Sequence, residues 1–186
     1  LRVDRRDKEI FENQQRFKNA FDHSPIGMAI VGLDGEILEA NENLSNMFGY
    51  SPTELREIEY RELLHPDEQQ YSEQKLADII SGKVTTYEVE RRLKKKDGST
   101  FWCLINVSVQ FNLQGQADYI FTQTLDIDER KRAEVELNRL AFHDPLTGLA
   151  NRTLLTEFLE KSIRMYRRNP VHQFAVLFLD LDGFKL

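Results

Sequence analysis

The amino-acid sequence predicts an α+β fold: one complete domain flanked by amphipathic helices, followed by a truncated α/β unit. The order of elements carries this prediction, with two short strands, several short helices and then three longer strands. Strands joined by tight turns pair antiparallel, so we expect a five-stranded antiparallel sheet with helices on one face. The chain has 186 residues, 40% of them hydrophobic. That is enough apolar surface for one modest core.

Composition excludes several classes of protein. The net charge is −6 with both signs mixed along the chain, so we expect no nucleic-acid partner. Cys103 is the single cysteine, which excludes a disulfide framework and fits a reducing compartment. No apolar run reaches the roughly 18–20 residues of a membrane span, and no signal peptide opens the chain. The first residue is Leu1 rather than Met and the last is Leu186, so we expect a segment of a longer protein. We expect this segment to be cytoplasmic, with any membrane anchor lying upstream.

Residues 1–22 form the first predicted element. They are mostly polar and charged, with Val3, Ile10 and Phe17 spaced by sevens and Phe21 four positions beyond Phe17. This spacing predicts an amphipathic helix with a narrow apolar seam. Such a helix pairs with a second helix or packs on its own domain, and the sequence leaves both interpretations open.

Residues 23–128 form the predicted central domain. Asp34-Gly35 is predicted to be a two-residue turn of a β-hairpin, and Asp97-Gly98 marks a second hairpin. Asn41 is a favourable first cap for a short helix. His65-Pro66-Asp67 begins a longer helix, which ends before Gly82.

The three longer strands show a period of two. After Asp97-Gly98 the alternate positions of one strand form a fully apolar face, namely Phe101, Cys103, Ile105, Val107 and Val109. Arg91 and Gln123 interrupt otherwise apolar strand faces. We expect them to be polar residues of an interior pocket, although solvation at a strand edge explains them equally well.

Residues 129–141 form a predicted connecting helix, and residues 142–186 begin a second unit. The connecting segment is dense in charge, lacks Gly and Pro, and has near-heptad apolar spacing typical of a coiled coil. In the second unit Asn151 caps a helix, and residues 174–179 are an unbroken apolar run, typical of a strand buried on both faces. Such a strand needs neighbours, and the chain contains none for it.

Two carboxylates follow that apolar run. Asp180 and Asp182 are two apart, so in a strand their side chains share one face beside Gly183. Oxygen ligands at a strand end suit Mg²⁺ and nucleotide phosphates. A solvated acidic turn is the alternative that the residues alone leave open.

Residues 16–130 resemble a PAS sensory domain of the S-box type. The residues that carry the resemblance are Phe21 to Gly27, Asp34-Gly35 with Asn41, Phe48 to Ser51, His65-Pro66-Asp67, Asp97-Gly98-Ser99 with Trp102, and Asp126 to Lys131. The resemblance implies that Asp126 transmits the signal, by hydrogen bonding near the start of the connecting helix. Haem and flavin are not expected as PAS ligands, because no residue resembles the reactive cysteine motif of photosensing PAS domains and His65 precedes the long helix. The domain either binds a small molecule or is a ligand-free dimerisation module.

Residues 141–186 resemble the beginning of a GGDEF domain, the diguanylate cyclase family. The matching segments are His143 to Arg152 and Phe178 to Lys185. The resemblance implies that Asp180 and the Leu181 carbonyl bind Mg²⁺. It implies further that the Phe184 and Lys185 backbone, with the Lys185 charge, lies near the GTP phosphates. We expect Asp144 and Arg152 to form a structural pair or to support the substrate loop rather than to act as catalytic groups.

Three functions remain open on the sequence. The first is a sensor regulating a diguanylate cyclase, which condenses two GTP to cyclic di-GMP and pyrophosphate in a homodimer paired through the helices that flank the PAS domain. The second is a sensor acting through a degenerate GGDEF domain on a following phosphodiesterase domain. The third is a PAS dimerisation and interaction module. The signature hairpin is absent from the 186 residues, so we expect this chain by itself to be catalytically incomplete.

Overall fold

The computed structural model describes residues 3–169, 171 and 173–179. The chain divides into two compact units, residues 1–131 and residues 132–186. The helices are α1 (Val3–Asp22), α2 (Glu42–Phe48), α3 (Pro52–Leu55), α4 (Gln69–Ile80), α5 (Asp128–Phe142) and α6 (Arg152–Arg168), with 3₁₀ turns at Tyr60–Leu63 and Pro66–Glu68. The strands are β1 (Gly27–Val31), β2 (Ile37–Ala40), β3 (Thr86–Lys94), β4 (Thr100–Phe111) and β5 (Ala117–Asp126).

The first unit is a five-stranded antiparallel sheet in the order β2-β1-β5-β4-β3. Its inner face packs against α2, α3, the first 3₁₀ turn and α4, whose buried side chains share one core with the strands. The apolar face predicted for β4 is buried along its whole length, from Phe101 to Val109. This arrangement confirms the predicted α+β fold with helices on one face.

The helices that share the core of the first unit all pack on the inner face of the sheet, so none of them covers the outer face. Register places Trp102 of β4 opposite Arg92 of β3, and Leu104 opposite Glu90 and Leu125. Several large apolar side chains on this face are partly exposed to solvent. Leu125, for example, has 46% of its surface exposed. The two faces therefore differ as the period-two alternation requires.

In the second unit, α5 leads through a tight turn to α6. The apolar run at residues 174–179 forms no strand in the described part of the chain, and Leu177, Phe178 and Leu179 are more than four-fifths exposed. A strand is stabilised by a hydrogen-bonded neighbour, and no described segment pairs with this one. The predicted double-sided strand is thus not formed here.

Asn41 connects three parts of the first unit. Its Oδ1 accepts hydrogen bonds from the backbone N–H groups of Met28 and Leu44, each at 2.9 Å. Its Nδ2 donates to the carbonyls of Phe21 and Ile26, each at 2.9 Å. The side chain is fully buried, so the end of α1, the start of β1 and the cap of α2 all depend on one amide.

We expect Asn41→Ala to destabilise the chain by about 3 kcal/mol, because it leaves buried backbone donors and acceptors unpaired and removes a helix cap. Urea unfolding followed by circular dichroism measures this. Asn46→Ala is the matched control, since Asn46 is exposed in the same helix, and it should change stability by less than about 0.5 kcal/mol. Equal effects from the two variants would contradict the role given to Asn41.

Candidate functional site

A small interior cavity lies between the sheet and α4. Its volume is about 50 Å³, far below the roughly 300–1,000 Å³ of pockets for drug-sized ligands. The residues around it come from every layer of the domain, namely Val31, Gly35, Tyr60, Ser72, Leu76, Ile79, Tyr87, Val107, Ile120 and Thr122. The lining is mainly apolar, with hydroxyl groups at a few positions.

Arg91 is a buried charge that interacts with two residues of the cavity lining, Tyr60 and Tyr87. It lies in β3 with 0% of its surface exposed. None of its three guanidinium nitrogens makes a close, well-aligned hydrogen bond among the described residues, although the Tyr60 and Tyr87 hydroxyls interact with the guanidinium. The ring of Tyr71 lies 5.6 Å from the guanidinium carbon, an attraction of about 0.5–2 kcal/mol. Burying an ion without a counter-charge costs several kcal/mol, so the ring compensates only part of the cost.

Two tyrosines of the cavity lining, Tyr60 and Tyr87, interact with the Arg91 charge. Burial raises the pKa of Tyr60 to about 12, and the Arg91 charge acts in the opposite direction. Burial likewise raises the pKa of Tyr87, again opposed by Arg91. Both hydroxyls therefore stay protonated at neutral pH, close to a positive charge, and both side chains line the cavity.

Gln123 is not brought to Arg91. Register pairs Gln123 with Asn106 and Met28, whereas its neighbours Thr122 and Thr124 are the buried residues. Side chains alternate along a strand, so Gln123 belongs to the outer face and Arg91 to the inner one. The two residues that the sequence grouped as pocket candidates thus lie on opposite sides of the sheet.

A second group of polar contacts joins the sheet to α5. Asp126 ends β5, and its Oδ1 accepts a hydrogen bond from Asp128 N at 2.9 Å. Asp128 Oδ1 in turn accepts from Trp102 N at 2.9 Å. Ile127 N donates to the Trp102 carbonyl, also at 2.9 Å. The first residue of α5 is therefore bonded to the start of β4.

Ion pairs strengthen this junction. Glu90 of β3 accepts from Arg130, and its other oxygen lies 2.6 Å from Lys131 Nζ. Lys131 and Arg92 lie over the Trp102 ring, at 5.4 Å and 5.8 Å. Lys131 first and then Arg130 hold the pKa of Glu90 below its usual value. A lowered carboxylate pKa means that the pairing stabilises the junction above the ordinary carboxyl range and is lost as pH falls through the lowered value.

Sequence reasoning identified Asp126 but missed Glu90 and Asp128. Glu90 lies in the charged half of an alternating strand, where nothing in the sequence links it to residues 40 positions away. Asp128 lies in the matching segment Asp126 to Lys131 but had no predicted role, although its carboxylate accepts the hydrogen bond from Trp102 N. A helix that starts with an acidic residue is a weak signal for such a bond.

In the second unit, residues 143–151 form a turn between α5 and α6. Asp144 Oδ1 accepts from the backbone and hydroxyl of Thr147, each at 2.9 Å, and these bonds lower the pKa of Asp144. Asn151 caps α6 through Leu154 N at 3.1 Å, and its Nδ2 donates to the Ala141 carbonyl at 2.8 Å. One side chain thus connects the end of α5 with the start of α6.

Arg152, which the sequence grouped with Asp144, is the exposed first residue of α6. The hydrogen bonds of Asp144 go to Thr147 and Leu146. The side-chain hydrogen bonds described for Asp144 therefore stay within the turn, and none of them goes to Arg152.

The predicted metal and phosphate residues, Asp180, Leu181, Phe184 and Lys185, lie outside the described residues. Within the described residues no group of three or more His, Cys, Asp or Glu side chains could hold a metal ion. A search of the same residues finds no helix with the length and apolar character to cross a membrane. One carboxylate and one carbonyl oxygen, the ligands named by the sequence, are of the type that Mg²⁺ prefers.

Similar proteins agree with these two units. Residues 37–122 match the PAS fold family, and residues 141–186 match the family described as diguanylate cyclase, GGDEF domain. A probable diguanylate cyclase, DgcE of Escherichia coli, is 37% identical over 127 residues, which are 68% of this chain and 12% of that protein. MucR of Pseudomonas aeruginosa, a bifunctional diguanylate cyclase and cyclic di-GMP phosphodiesterase, is 56% identical over 54 residues, covering 29% of this chain and 8% of that protein. The chain thus spans a small part of each relative.

Among solved structures, the PAS domain of a protein from Colwellia psychrerythraea superposes with a TM-score of 0.58 at 19% identity. The superposition covers 63% of this chain and 98% of that domain, and at this identity it shows the fold alone. The fold, the two family matches and the relatives lead to one conclusion: the chain contains a PAS domain followed by a segment of a GGDEF domain, and it is homologous to proteins of cyclic di-GMP signalling.

Proposed function

We propose that the PAS domain senses a signal and controls, through α5, diguanylate cyclase activity of the GGDEF domain in the whole protein. The observation that carries the proposal is the attachment of α5. Its first residues are bonded to β3 and β4 by Asp128, Arg130 and Lys131, and the same helix ends at Ala141 and Phe142, which bond to Asn151. A change in the sheet is thereby passed to the helix that enters the GGDEF segment.

The physical step is a rotation or shift of α5. Asp126, Asp128 and Glu90 hold its first turn at a defined angle to the sheet, and a distortion of β3 or β4 changes that angle. In a dimer, rotation of paired helices moves the two cyclase domains together or apart. We therefore assign signal transmission to Asp126 together with Asp128 and Glu90.

Exposed apolar side chains support a homodimer through the flanking helices. In α1, Ile10, Phe11 and Phe17 are each more than half exposed, and in α5, Val135 and Leu137 are about two-thirds exposed. Apolar stripes on charged helices are covered most simply by the same helices of a second copy. Each copy would bring one GTP, so pairing governs the reaction.

The chemistry assigned to the GGDEF domain needs Mg²⁺ and GTP. Asp180 and the Leu181 carbonyl would hold the cation, which supplies charge neutralisation at the phosphates. The Phe184 backbone and the Lys185 ammonium would bind the triphosphate as hydrogen-bond donors and a positive charge.

Control of a phosphodiesterase is a second candidate function. MucR, 56% identical to this chain over 54 residues, combines cyclase and phosphodiesterase in one protein. In that case the GGDEF segment binds GTP without converting it. Assaying the whole protein for both synthesis and hydrolysis of cyclic di-GMP separates the two functions.

We expect Glu90→Gln to loosen the start of α5, because it removes the carboxylate that pairs with Arg130 and Lys131. Hydrogen exchange of the amides in residues 128–135 should speed up several-fold in the purified chain. Glu88→Gln is the control, since Glu88 lies two residues earlier on the same face and its carboxylate accepts from Asn106. If the exchange rates of these amides are unchanged in the Glu90 variant, the role given to Glu90 in attaching α5 to β3 is contradicted.

In the whole protein, Asp126→Ala should abolish the response of cyclase activity to the PAS signal while changing stability by less than about 1 kcal/mol. The reason is that it removes the acceptor of Asp128 N from an exposed position. Asp118→Ala, at an exposed position near the other end of β5, should leave regulation intact. Normal regulation in the Asp126 variant is the result that rules out its role.

Asp180→Ala in the whole protein should lower cyclic di-GMP synthesis by at least about a hundredfold, because it removes a carboxylate from the metal that neutralises the phosphates. The 186-residue chain by itself should form no cyclic di-GMP from GTP and Mg²⁺. Product formed by either protein at the rate of the unmodified whole protein would contradict the assignment.

A further inference from the structure

We propose that a surface groove between α1 and α2 binds a small aromatic amine in its ammonium form. This α1–α2 groove is bordered by the last turns of α1, the end of β2, α2 and the start of α3, and Phe17, Phe21, Ser45 and Tyr50 contribute to its wall. Its volume of about 820 Å³ lies within the roughly 300–1,000 Å³ of small-molecule pockets. Among the described residues, none lines both this groove and the interior cavity, so the two are separate sites.

The aromatic side chains of the groove favour a ligand with a flat ring. The ring of Phe21 is buried and is stacked on the ring of Phe17, with centroids 5.8 Å apart and an angle of 24° between the planes. Phe17 nevertheless keeps 54% of its surface exposed at the groove, and the half-buried Tyr50 supplies a third ring. A ligand ring placed here removes apolar surface from water and extends the existing stack.

The charges around the groove favour a cation. Its lining holds the carboxylates of Asp22, Glu39 and Glu42 against the permanent cations Lys18 and Arg56. Arg56 also lines an adjacent cleft, whose other charged residues are four carboxylates, namely Asp34, Glu36, Glu57 and Glu59. Three carboxylates in the groove and four in the cleft thus surround two permanent cations. A surface with this excess of negative charge attracts a positively charged ligand.

Two of these carboxylates are available to such a ligand. Glu39 and Glu42 are exposed, and neither makes an ion pair or a side-chain hydrogen bond within the part of the chain that the structure describes. Lys96 lies over the Tyr50 ring at 5.6 Å, but its ammonium is paired with Glu54 at 2.6 Å. The positive charge nearest to Tyr50 is therefore already compensated.

Helix α2 adds a buried hydroxyl to the groove. Glu42, Ser45 and Asn46 have the i, i+3, i+4 spacing of one helix face, and all three border the groove. Ser45 is 5% exposed, and its Oγ has no hydrogen-bond partner among the described residues. Buried hydroxyl groups are usually paired, and a hydroxyl oxygen accepts readily from an ammonium group in a charge-assisted bond. Ser45 and Glu42 together thus mark the place of the ammonium.

The probe that matches these features is 2-phenylethylamine, which combines one ring with an ammonium group two carbons away. An alkylammonium group stays protonated at pH 7, as the lysine side chain does. Three compounds serve as controls. The first is 2-phenylethanol, which has the same shape without the charge, the second is 3-phenylpropionate, which has the opposite charge, and the third is ethylamine, which has the charge without the ring.

The first test measures thermal unfolding of the 186-residue chain at pH 7 with increasing 2-phenylethylamine hydrochloride. We expect a saturable rise of the melting temperature, about 5–10 °C at a ligand concentration one hundred times the dissociation constant. The three control compounds should produce no saturable rise at the same concentration and ionic strength. The absence of a rise with 2-phenylethylamine, or a rise of equal size with any control compound, overturns the proposal.

The second test compares two phenylalanines of α1. Phe17→Ala removes an exposed ring from the groove and should weaken the binding of 2-phenylethylamine at least about tenfold in a calorimetric titration. Phe11→Ala is the matched control, because Phe11 is 60% exposed in the same helix and does not line the groove. Both rings belong to the apolar stripe proposed to pair two copies, so an effect of pairing alone would be equal in the two variants. Equal affinities in the two variants contradict the proposal.

The third test compares two serines. Ser45→Ala should weaken binding at least about tenfold without lowering the melting temperature of the free chain, because the hydroxyl that it removes has no partner among the described residues. Ser72→Ala is the control, since Ser72 lines the interior cavity and not the groove, and it should keep full affinity. If Ser72→Ala weakens binding and Ser45→Ala does not, the ligand lies in the interior cavity and the proposal is wrong.

Hydrogen exchange of the unmodified chain covers the case in which a variant fails to fold. Saturating 2-phenylethylamine should slow the exchange of backbone amides at residues 17–23 and 42–46 several-fold, because the ligand holds α1 against α2. The same concentration of 2-phenylethanol should leave these amides unchanged. Protection that is absent, or that is confined to α4 beside the interior cavity, overturns the proposal.

These measurements do not depend on cyclase activity. If 2-phenylethylamine binds in the groove and cyclic di-GMP synthesis by the whole protein is unchanged, the binding site is confirmed and the control through α5 has another signal. If 2-phenylethylamine does not bind, the groove assignment fails and the control through α5 is unaffected.

Discussion

The alternation of side chains along β3 is the constraint on which the rest of the arrangement depends. Arg91 points into the domain, while its neighbours Glu90 and Arg92 point to the outer face, because successive residues of a strand face opposite sides. Arg91 reaches the tyrosines beside the cavity, and Glu90 holds Arg130 and Lys131 of α5. Neighbouring residues of one strand therefore contact the interior of the domain and the first turn of α5.

The neighbouring strand β4 completes this connection. Its inward residues include Val107 in the cavity wall, and its outward Trp102 bonds Asp128 through the backbone and carries Lys131 over its ring. The sheet thus contributes to the cavity wall with its inner face and contacts α5 with its outer face. It is the element that both the cavity and α5 contact.

Local signals in the sequence predicted much of this fold. The hairpin at Asp97-Gly98, the caps Asn41 and Asn151, and the apolar face of β4 each depend on neighbours close in sequence, and each is formed. The two hairpin loops have three residues each, 33–35 and 96–98, one more than a two-residue turn. Long-range pairs could not be predicted in the same way. Glu90 meets α5 only because β3 lies beside β4 at the edge of the sheet, which the order of strands along the chain does not determine. The cavity and the burial of Arg91 without a counter-charge likewise depend on packing between elements that are distant in sequence, so they could not be predicted from local signals.

The central claim is that α5 transmits the signal as a rigid helix with a defined rotational phase. It is tested most directly by inserting residues between Val135 and Glu136 in the whole protein and measuring regulated cyclic di-GMP synthesis. Each residue turns an α-helix by about 100°, so two inserted residues rotate the output by roughly 200° and seven by nearly two full turns. The account predicts that seven inserted residues preserve the response to the PAS signal and that two abolish or invert it. An equal response after both insertions would contradict it.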